Sequence, residues 1–469
     1  MRIMKKQNEV LEAEKIIREA RETDFKGEKK MTAAEFLKEL DKQEVKYVRL
    51  WFTDILGQLK GMDMTRREME GVLERGQGFD GSSIEGFVRI EESDLVARPD
   101  LSTFRVIPWP IGGVKVGMLF CDVHNPDGTP HDGDPRYILR RQLEKMKKLG
   151  YTYYCGPEIE YFYLKSVKEP VVLDREGYFS YGTIDIGTNL RKKTATALEA
   201  MGIQVECTHH EVAPSQHEID LRYQDALTMA DQAMIYRLVV KELAAQEGVY
   251  ATFMPKPIFG ENGSGMHCHQ SLFKGKSNLF FDAKDKYHLS AFAKGYIAGL
   301  LTHIREITLI LCQWVNSYKR LIVGYEAPVY ISWGRRNRSS LIRVPMYQPG
   351  KENATRVELR CPDPACNPYL AFAVMLAAGM KGVEGKYSLP EPVEEDIFEM
   401  DDKELKRHKI GSLPGSLLEA IELAEQSQLV RDVLGDHLFG NLIANKKAEW
   451  DRYRMHVSQY ELDTFLPVL

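Results

Sequence analysis

The sequence predicts an α+β protein of two units. A small mixed N-terminal domain precedes a larger one built on a mainly antiparallel sheet with packed helices. Three observations predict this. The 469 residues allow two or three domains at about 150 residues each. The texture changes near His131, from short strands and turn signals to long helical segments. Beyond it, alternating polar–apolar stretches and helices succeed one another without a regular βαβ rhythm, which excludes a doubly wound fold.

Each element carries a local reason. Residues 1–30 are highly charged, and Val10, Ile16, Ile17 and Ala20 form a weak stripe, so a helical N-terminal extension is expected. Thr32 and Glu35 read as a capping box ahead of Phe36, Leu37 and Leu40. VKYVRLWFTD (45–54) reads as a strand, and the turns FDGSS, NPDGTP and HDGDP follow to about residue 130. Asp134 caps a helix with Pro135 at its first position, and Gly150 closes it. Further helices are expected from Asp225 to about Gln246, from Ser290 to Cys312 and after Asn367-Pro368. The domains expected are thus 1–30, 31–130 and 131–469.

A hydrophobic fraction of 43% excludes a mainly disordered chain. A net charge of −5 argues against a nucleic-acid or polybasic membrane binder. No apolar run reaches the roughly 18–20 residues that span a bilayer. The start lacks the apolar segment of a secretory signal. Seven scattered cysteines fit reduced thiols rather than a disulfide framework, so a cytoplasmic protein is expected.

The chemistry lies on alternating strands. Residues two apart on a strand share a face. Glu158 and Glu160 in GPEIEYFYL therefore point together, with Ile159, Tyr161 and Tyr163 opposite. HHEVAPSQHEID sets Glu211 and Glu218 on either side of a turn at Pro214-Ser215. GSGMHCHQS puts His267, His269 and Ser271 on one face, and RVELR does the same for Arg356, Glu358 and Arg360. If these strands adjoin, five glutamates and His267 converge. Two like charges 4 Å apart cost roughly 4 kcal/mol at an effective dielectric near 20, a penalty that divalent cations remove. Oxygen-dominated donors select Mg²⁺ or Mn²⁺, the imidazole tilting toward Mn²⁺, and two or more ions per site are expected. Arg320, Arg336, Arg338, Arg343, Arg356 and Arg360 crowd 41 residues. Guanidinium forks beside metals describe a phosphoryl-transfer site. No P-loop or dinucleotide fingerprint occurs, and GENGSG (260–265) reads as a loop of close backbone approach.

From about residue 43 to 455 the chain resembles glutamine synthetase of the type I prokaryotic class. The motifs are FTDILG (52–57), FDGSSIEGF (79–87), GPEIEYF (156–162), HHEVAPSQHEID (209–220), MPKPIFGENGSGMHCHQSL (254–272), NSYKRL and GYEAPVY (316–330), RNRSSLIRVP (336–345) and RVELRCPDPACNPYLAF (356–372). The resemblance implies a β-grasp-like N-terminal domain and a catalytic domain whose curved sheet shapes a channel. It implies ATP-dependent ligation of ammonia to the γ-carboxylate of L-glutamate through γ-glutamyl phosphate. It also implies a dodecamer of two hexameric rings with active sites between subunits, Asp54 coming from the next chain.

By motif, Glu160, Glu211 and Glu218 would hold one metal, and Glu158, His267 and Glu358 the other. Asn262, Gly263, Arg320 and Arg360 would hold glutamate. Glu206, Tyr223, His269, Ser271, Arg343 and Arg356 would surround ATP. Asp54 and Tyr178 would form the ammonium site, Glu326 would be the closing flap, and Arg338 would offset phosphoryl charge. Val323 departs from the usual Pro, and Cys312-Gln-Trp314 from the usual Asn-Pro-Thr. Phe398 stands where an adenylylated subclass has Tyr, and the insertion of that subclass is missing near 165–175, which points to the shorter, non-adenylylated subclass. There an arginine equivalent to Arg89 is tied to glutamine feedback. Two alternatives stay open: a glutamate–amine (polyamine) ligase of the same family, and a catalytically silent regulatory relative. A regulatory protein partner at the C-terminal tail stays open as well.

Overall fold

The computed structural model describes residues 31–86, 94–182, 186–335, 337, 339–395 and 397–469. The expected helical extension at 1–30, Arg89, Arg336 and Arg338 lie outside the described residues.

The N-terminal unit is one sheet with helices on one face. Helix α1 (Ala33–Lys42) begins at Thr32, whose hydroxyl accepts from Glu35 N while the Glu35 carboxylate accepts from Thr32 N. Strands β1 (Tyr47–Thr53), β2 (Leu59–Thr65), β3 (Gln77–Asp80), β4 (Asp94–Pro99), β5 (Arg105–Val106) and β6 (Val116–His124) follow, with α2 (Met69–Arg75) between β2 and β3. Their order is β2-β1-β6-β4-β3, with β5 on β6. The β1–β6 pair is parallel and the rest are antiparallel. Period-two alternation divides the two faces. Val48, Leu50, Leu119 and Cys121 meet Phe36, Leu40, Met69 and Val72 of the helices. Trp51, Met118 and Phe120 point the other way and join the core of the larger unit.

Helix α3 (Pro135–Lys148) opens that larger unit. Its cap, Asp134, accepts from Arg136 N within the helix and from Val123 N on β6. Buried Arg136 reaches Asp122 and Asp100 on one side and Asp231 on the other, so one guanidinium ties both units together.

The large sheet comprises β7 (Tyr151–Leu164), β8 (Val205–His210), β9 (Gln216–Leu221), β10 (Gln224–Asp225), β11 (Tyr250–Thr252), β12 (Met266–Lys274), β13 (Ser277–Asn278), β14 (Trp333–Gly334), β15 (Ile342–Arg343) and β16 (Val357–Leu359). The order β14-β15-β16-β12-β7-β9-β8 is antiparallel except at β14–β15. Helices α4 (Gly187–Ala200), α5 (Ala226–Gln246), α6 (Ala291–Leu311) and α7 (Pro368–Glu384) pack with α3 around the core. Helix α5 starts at Asp225 and α7 at Asn367-Pro368, each with a side-chain cap. Gly299 on α6 meets α7 so closely that a Cβ would lie 2.3 Å from Ala378 O. The apolar run Tyr369–Met380 is thereby the buried centre of a globular core. Among the described residues no helix is long and apolar enough to cross a membrane.

Candidate active site

Strand register builds the site. Glu160 on β7 stands opposite Glu218 on β9, and Glu218 stands opposite His209 on β8. Glu158 stands opposite His267 on β12, His269 opposite Glu358 on β16, and Glu358 opposite Arg343 on β15. These residues form a polar row across six neighbouring strands. The alternate residues Ile159, Tyr161, Met266, Cys268, Ile219 and Leu359 lie in the core, so one face is apolar and the other carries the chemistry.

Two adjoining pockets divide this face. The first is lined by Glu158, Glu160, Glu211, Glu218, His267 and Glu358, with Tyr178, Asn262, Gly263, Arg320, Glu326, Arg343 and Arg360 around them. The second is lined by Glu206, Tyr223, His269, Ser271 and Arg356, and the two share Glu158 and Asp220.

Among the described residues three donor sets occur in the first pocket, and two of them carry the glutamates. Glu158, His267 and Glu358 bring ligand atoms within 4.8 Å of one another, and so do His209, Glu211 and Glu218. His267 stands among three carboxylates: its Nδ1 lies 3.5 Å from Glu158 and 3.8 Å from Glu358, and its Nε2 lies 3.9 Å from Glu160. Glu160 Oε2 is held by Gln216 Nε2 and Gly265 N, both at 2.9 Å.

Their electrostatics differ. Burial pushes the Glu158 carboxyl up, but hydrogen bonds from His267 and His269 win and hold it below its ordinary value. Burial likewise opposes ionisation of Glu358, and His269, Arg360, His267 and Arg343 overcome it. The other set has no such cover. Burial and the Glu160 charge push Glu211 up to about 9, and burial with Asp220 and Glu160 drives Glu218 well above its ordinary value. A buried acidic group short of positive charge fits a divalent cation, and the oxygen-dominated donors fit a hard one.

The loops are tied down locally. A Cβ on Gly263 would lie 2.4 Å from Pro255 O and 3.0 Å from the Arg320 side chain, so only glycine permits this approach. Buried Arg320 donates to the carbonyls of Cys361, Pro362 and Arg360. Glu326 sits at φ +56° and accepts from Asn262 Nδ2 at 3.3 Å, while the ring of Tyr325 lies 3.7 Å from Lys256 Nζ. Tyr178 stacks on Phe179 at 4.1 Å, and Phe179 lies against His209. In the second pocket, Arg356 Nε donates to His269 Nδ1 at 3.2 Å and His269 Nε2 meets Glu158 Oε1 at 2.8 Å.

Three further placements bear on the sequence expectation. Arg343, grouped by motif with the nucleotide residues, lines the pocket of the glutamates and pairs with Glu358. Asp54 is outside both pockets of its own chain: its carboxylate accepts from Leu56 N and Gln58 N and meets Lys60, and its carbonyl accepts from Asn367. His209, Gln216 and Asp220 belong to the site but were not singled out. The period-two rule that paired Glu158 with Glu160 would have reached His209 beside Glu211 and Asp220 beside Glu218.

Known proteins match this chain over most of its length. Residues 132–465 match the family model described as the glutamine synthetase catalytic domain, and residues 44–126 match its beta-Grasp domain. A Mycobacterium tuberculosis protein named glutamine synthetase is 50% identical over 436 residues, 92% of this chain and 98% of its own. One from Thermus thermophilus is 48% identical over 443 residues, 93% and 99% of the two chains. A solved GmaS/ADP complex has a TM-score of 0.85 at 28% identity, covering 92% of this chain and 99% of that one. The cryo-EM structure of Plasmodium falciparum glutamine synthetase has a TM-score of 0.84 at 25% identity, covering 92% and 98%.

Proposed function

The chain belongs to the glutamine synthetase family, and from that premise we propose how its own residues carry out ATP-dependent glutamine synthesis. The enzyme is a glutamate–ammonia ligase, and its family uses divalent metals. The observation that carries the assignment of roles is the polar row, in which acidic, imidazole and guanidinium groups from six strands face one pocket.

Glu160, Glu211 and Glu218 hold one cation, and Glu158, His267 and Glu358 hold another, Mg²⁺ or Mn²⁺. Bound cations supply the positive charge that the phosphates of ATP and the transferring phosphoryl group require. Arg320, Arg360, Asn262 and Gly263 grip glutamate and aim its γ-carboxylate at the terminal phosphate of ATP. Glu206, Tyr223, His269, Ser271 and Arg356 hold the nucleotide in the second pocket. Arg343 reaches it from the first, which suits a group facing the phosphates rather than the base. Arg338, outside the described residues, takes its phosphoryl role from the family resemblance.

Attack gives γ-glutamyl phosphate and ADP. The stacked Tyr178 and Phe179 offer an aromatic wall suited to ammonium. Asp54 of a neighbouring subunit accepts the ammonium proton, and the freed ammonia displaces phosphate. Burial raises the Asp54 carboxyl above its ordinary value, offset in part by Gln58 and Lys60, which strengthens it as a base. Glu326, tethered by Asn262, closes the pocket and keeps water from the acyl phosphate.

Asp54 lies away from the pocket of its own chain, which supports sites shared between subunits; the double hexameric ring rests on the family resemblance. The exposed tail beyond residue 455 suits a regulatory protein partner. Seven free cysteines suit the cytoplasm. Phosphate release, measured with glutamate and ammonium each omitted, tests the reading. Release that requires glutamate, and that prefers ammonium to ethylamine or putrescine, is expected. A strong preference for putrescine would overturn the acceptor.

A further inference from the structure

The β8–β9 pair carries a donor set of a different kind from the glutamates. Cys207 stands directly opposite Asp220, and His209 opposite Glu218, in regular antiparallel register. The register then shifts between Val205 and Cys207, leaving Glu206 as the extra residue of a β-bulge. Bulges beside active sites re-aim side chains. Here Glu206 lines the nucleotide pocket while Cys207 and His209 line the pocket of the glutamates.

Cys207 Sγ lies 2.7 Å from Asp220 Oδ2, and His209 Nε2 lies 3.9 Å from the same oxygen. One donor atom from each of the three residues falls within 4.8 Å of the others. Cys207 is exposed, whereas the other six cysteines are buried. Among the described residues Asp220 Oδ1 is buried with no hydrogen-bond partner. An open thiol, an imidazole and an under-satisfied carboxylate therefore converge at the boundary of the two pockets.

We propose that Cys207, His209 and Asp220 form a site for a thiophilic divalent cation, Zn²⁺, whose occupancy blocks glutamine synthesis. Sulfur and imidazole donors select Zn²⁺ over Mg²⁺, and three protein ligands leave a fourth tetrahedral position open to solvent or phosphate. The Zn–S bond forms as the thiol proton passes to solvent. The blocking effect, which rests on the roles proposed for the two pockets, follows from position. His209 lies 3.3 Å from Glu211 and 3.5 Å from Glu218, so ligation draws it from both. Asp220 lines both pockets, so a cation there stands between nucleotide and glutamates.

Co²⁺ is the spectroscopic stand-in. The full chain is stripped with chelator, the oxygen-donor sets are filled with excess Mg²⁺, and Co²⁺ is titrated in. A thiolate-to-cobalt absorption in the near ultraviolet is expected, abolished by Zn²⁺ and absent from Cys207→Ser. In Mg²⁺-supported synthesis, Cys207→Ser is expected to raise the half-inhibiting Zn²⁺ concentration by about tenfold or more. No thiolate band in the wild type, an unchanged band in Cys207→Ser, or an unchanged half-inhibiting concentration would each overturn the proposal. The spectrum needs no turnover. A band in a chain that made no glutamine would uphold the site and sink the catalytic reading instead.

Discussion

Glu160 and Glu218 stand directly opposite one another on adjacent antiparallel strands, 8% and 4% exposed. Like charges so placed destabilise a sheet, and burial denies them water. Gln216 Nε2 and Gly265 N fix Glu160, whereas Glu218 has His209 Nε2 only at 3.5 Å and its carboxyl is still driven well above its ordinary value. The fold therefore keeps an electrostatic cost at this pair that a bound cation offsets.

That cost predicts opposite effects of one substitution. Glu218→Gln should raise the melting temperature of the chelated protein, because a neutral amide spares the fold the cost of burying an ionisable carboxyl beside Glu160 and Asp220. The same variant should lose most of the further stabilisation that Mg²⁺ gives the wild type, which reaches about 2.7 kcal/mol at a hundredfold excess over Kd. Melting curves with chelator and with Mg²⁺ check both arms. A wild-type curve indifferent to Mg²⁺ would count against the paired cations.

Asp54 predicts the pH dependence. Its carboxyl titrates above the ordinary value because it is buried, against the pull of Gln58 and Lys60. A base works when ionised, so synthesis should rise with pH through a value above the usual carboxylate range. Linkage runs the other way: the raised value favours folding below the ordinary pKa, and that contribution is lost as pH rises through the folded one. Asp54→Asn should slow amide formation and remove this acid limb, with phosphoryl transfer retained. A pH–rate profile for ammonium checks it, and an unaltered limb in the variant removes Asp54 from the proton transfer.

The two pockets predict separable binding defects. Arg356 lines only the second pocket, and Arg320 only the first. Arg356→Ala should raise KM for ATP about tenfold, the loss of one charge-assisted contact of roughly 1.4 kcal/mol, with KM for glutamate little changed. Steady-state kinetics with each substrate varied would show this split. Equal effects on both constants would mean that the pockets do not divide as proposed.

Shared sites predict complementation. Asp54→Ala chains and Glu160→Ala chains should each be inactive in synthesis. Mixed oligomers refolded from the two should regain activity, because some sites combine an intact Asp54 with an intact glutamate set. Mixtures as silent as the parents would confine each site to one chain.

Glu326 predicts leakage. Its strained backbone and its hold on Asn262 suit a flap that closes over the acyl phosphate. Glu326→Ala should raise phosphate release without ammonium relative to glutamine formed. The ratio of the two products measures it, and an unchanged ratio would leave Glu326 without a role in excluding water.

Much of this was legible in the chain itself because the signals are local. The Thr32–Glu35 box, the Asp134-Pro135 start and the Asn367-Pro368 start each fix a helix through hydrogen bonds spanning a few residues. The two-residue period told which side of GPEIEYFYL would be polar, since a strand's geometry alone imposes it. Which strands would be neighbours had no local signal. β7 lies between β12 and β9, strands more than forty residues apart in sequence, and only packing of the apolar face on α3 to α7 decides that order. The same holds for the bulge at Glu206, which exists because two strands must match hydrogen bonds while curving, and for Arg343, whose partner Glu358 is set by β15–β16 pairing. Sequence determined the elements and their faces. Tertiary structure decided which polar faces meet, because cross-strand contact is settled by the burial of everything behind it.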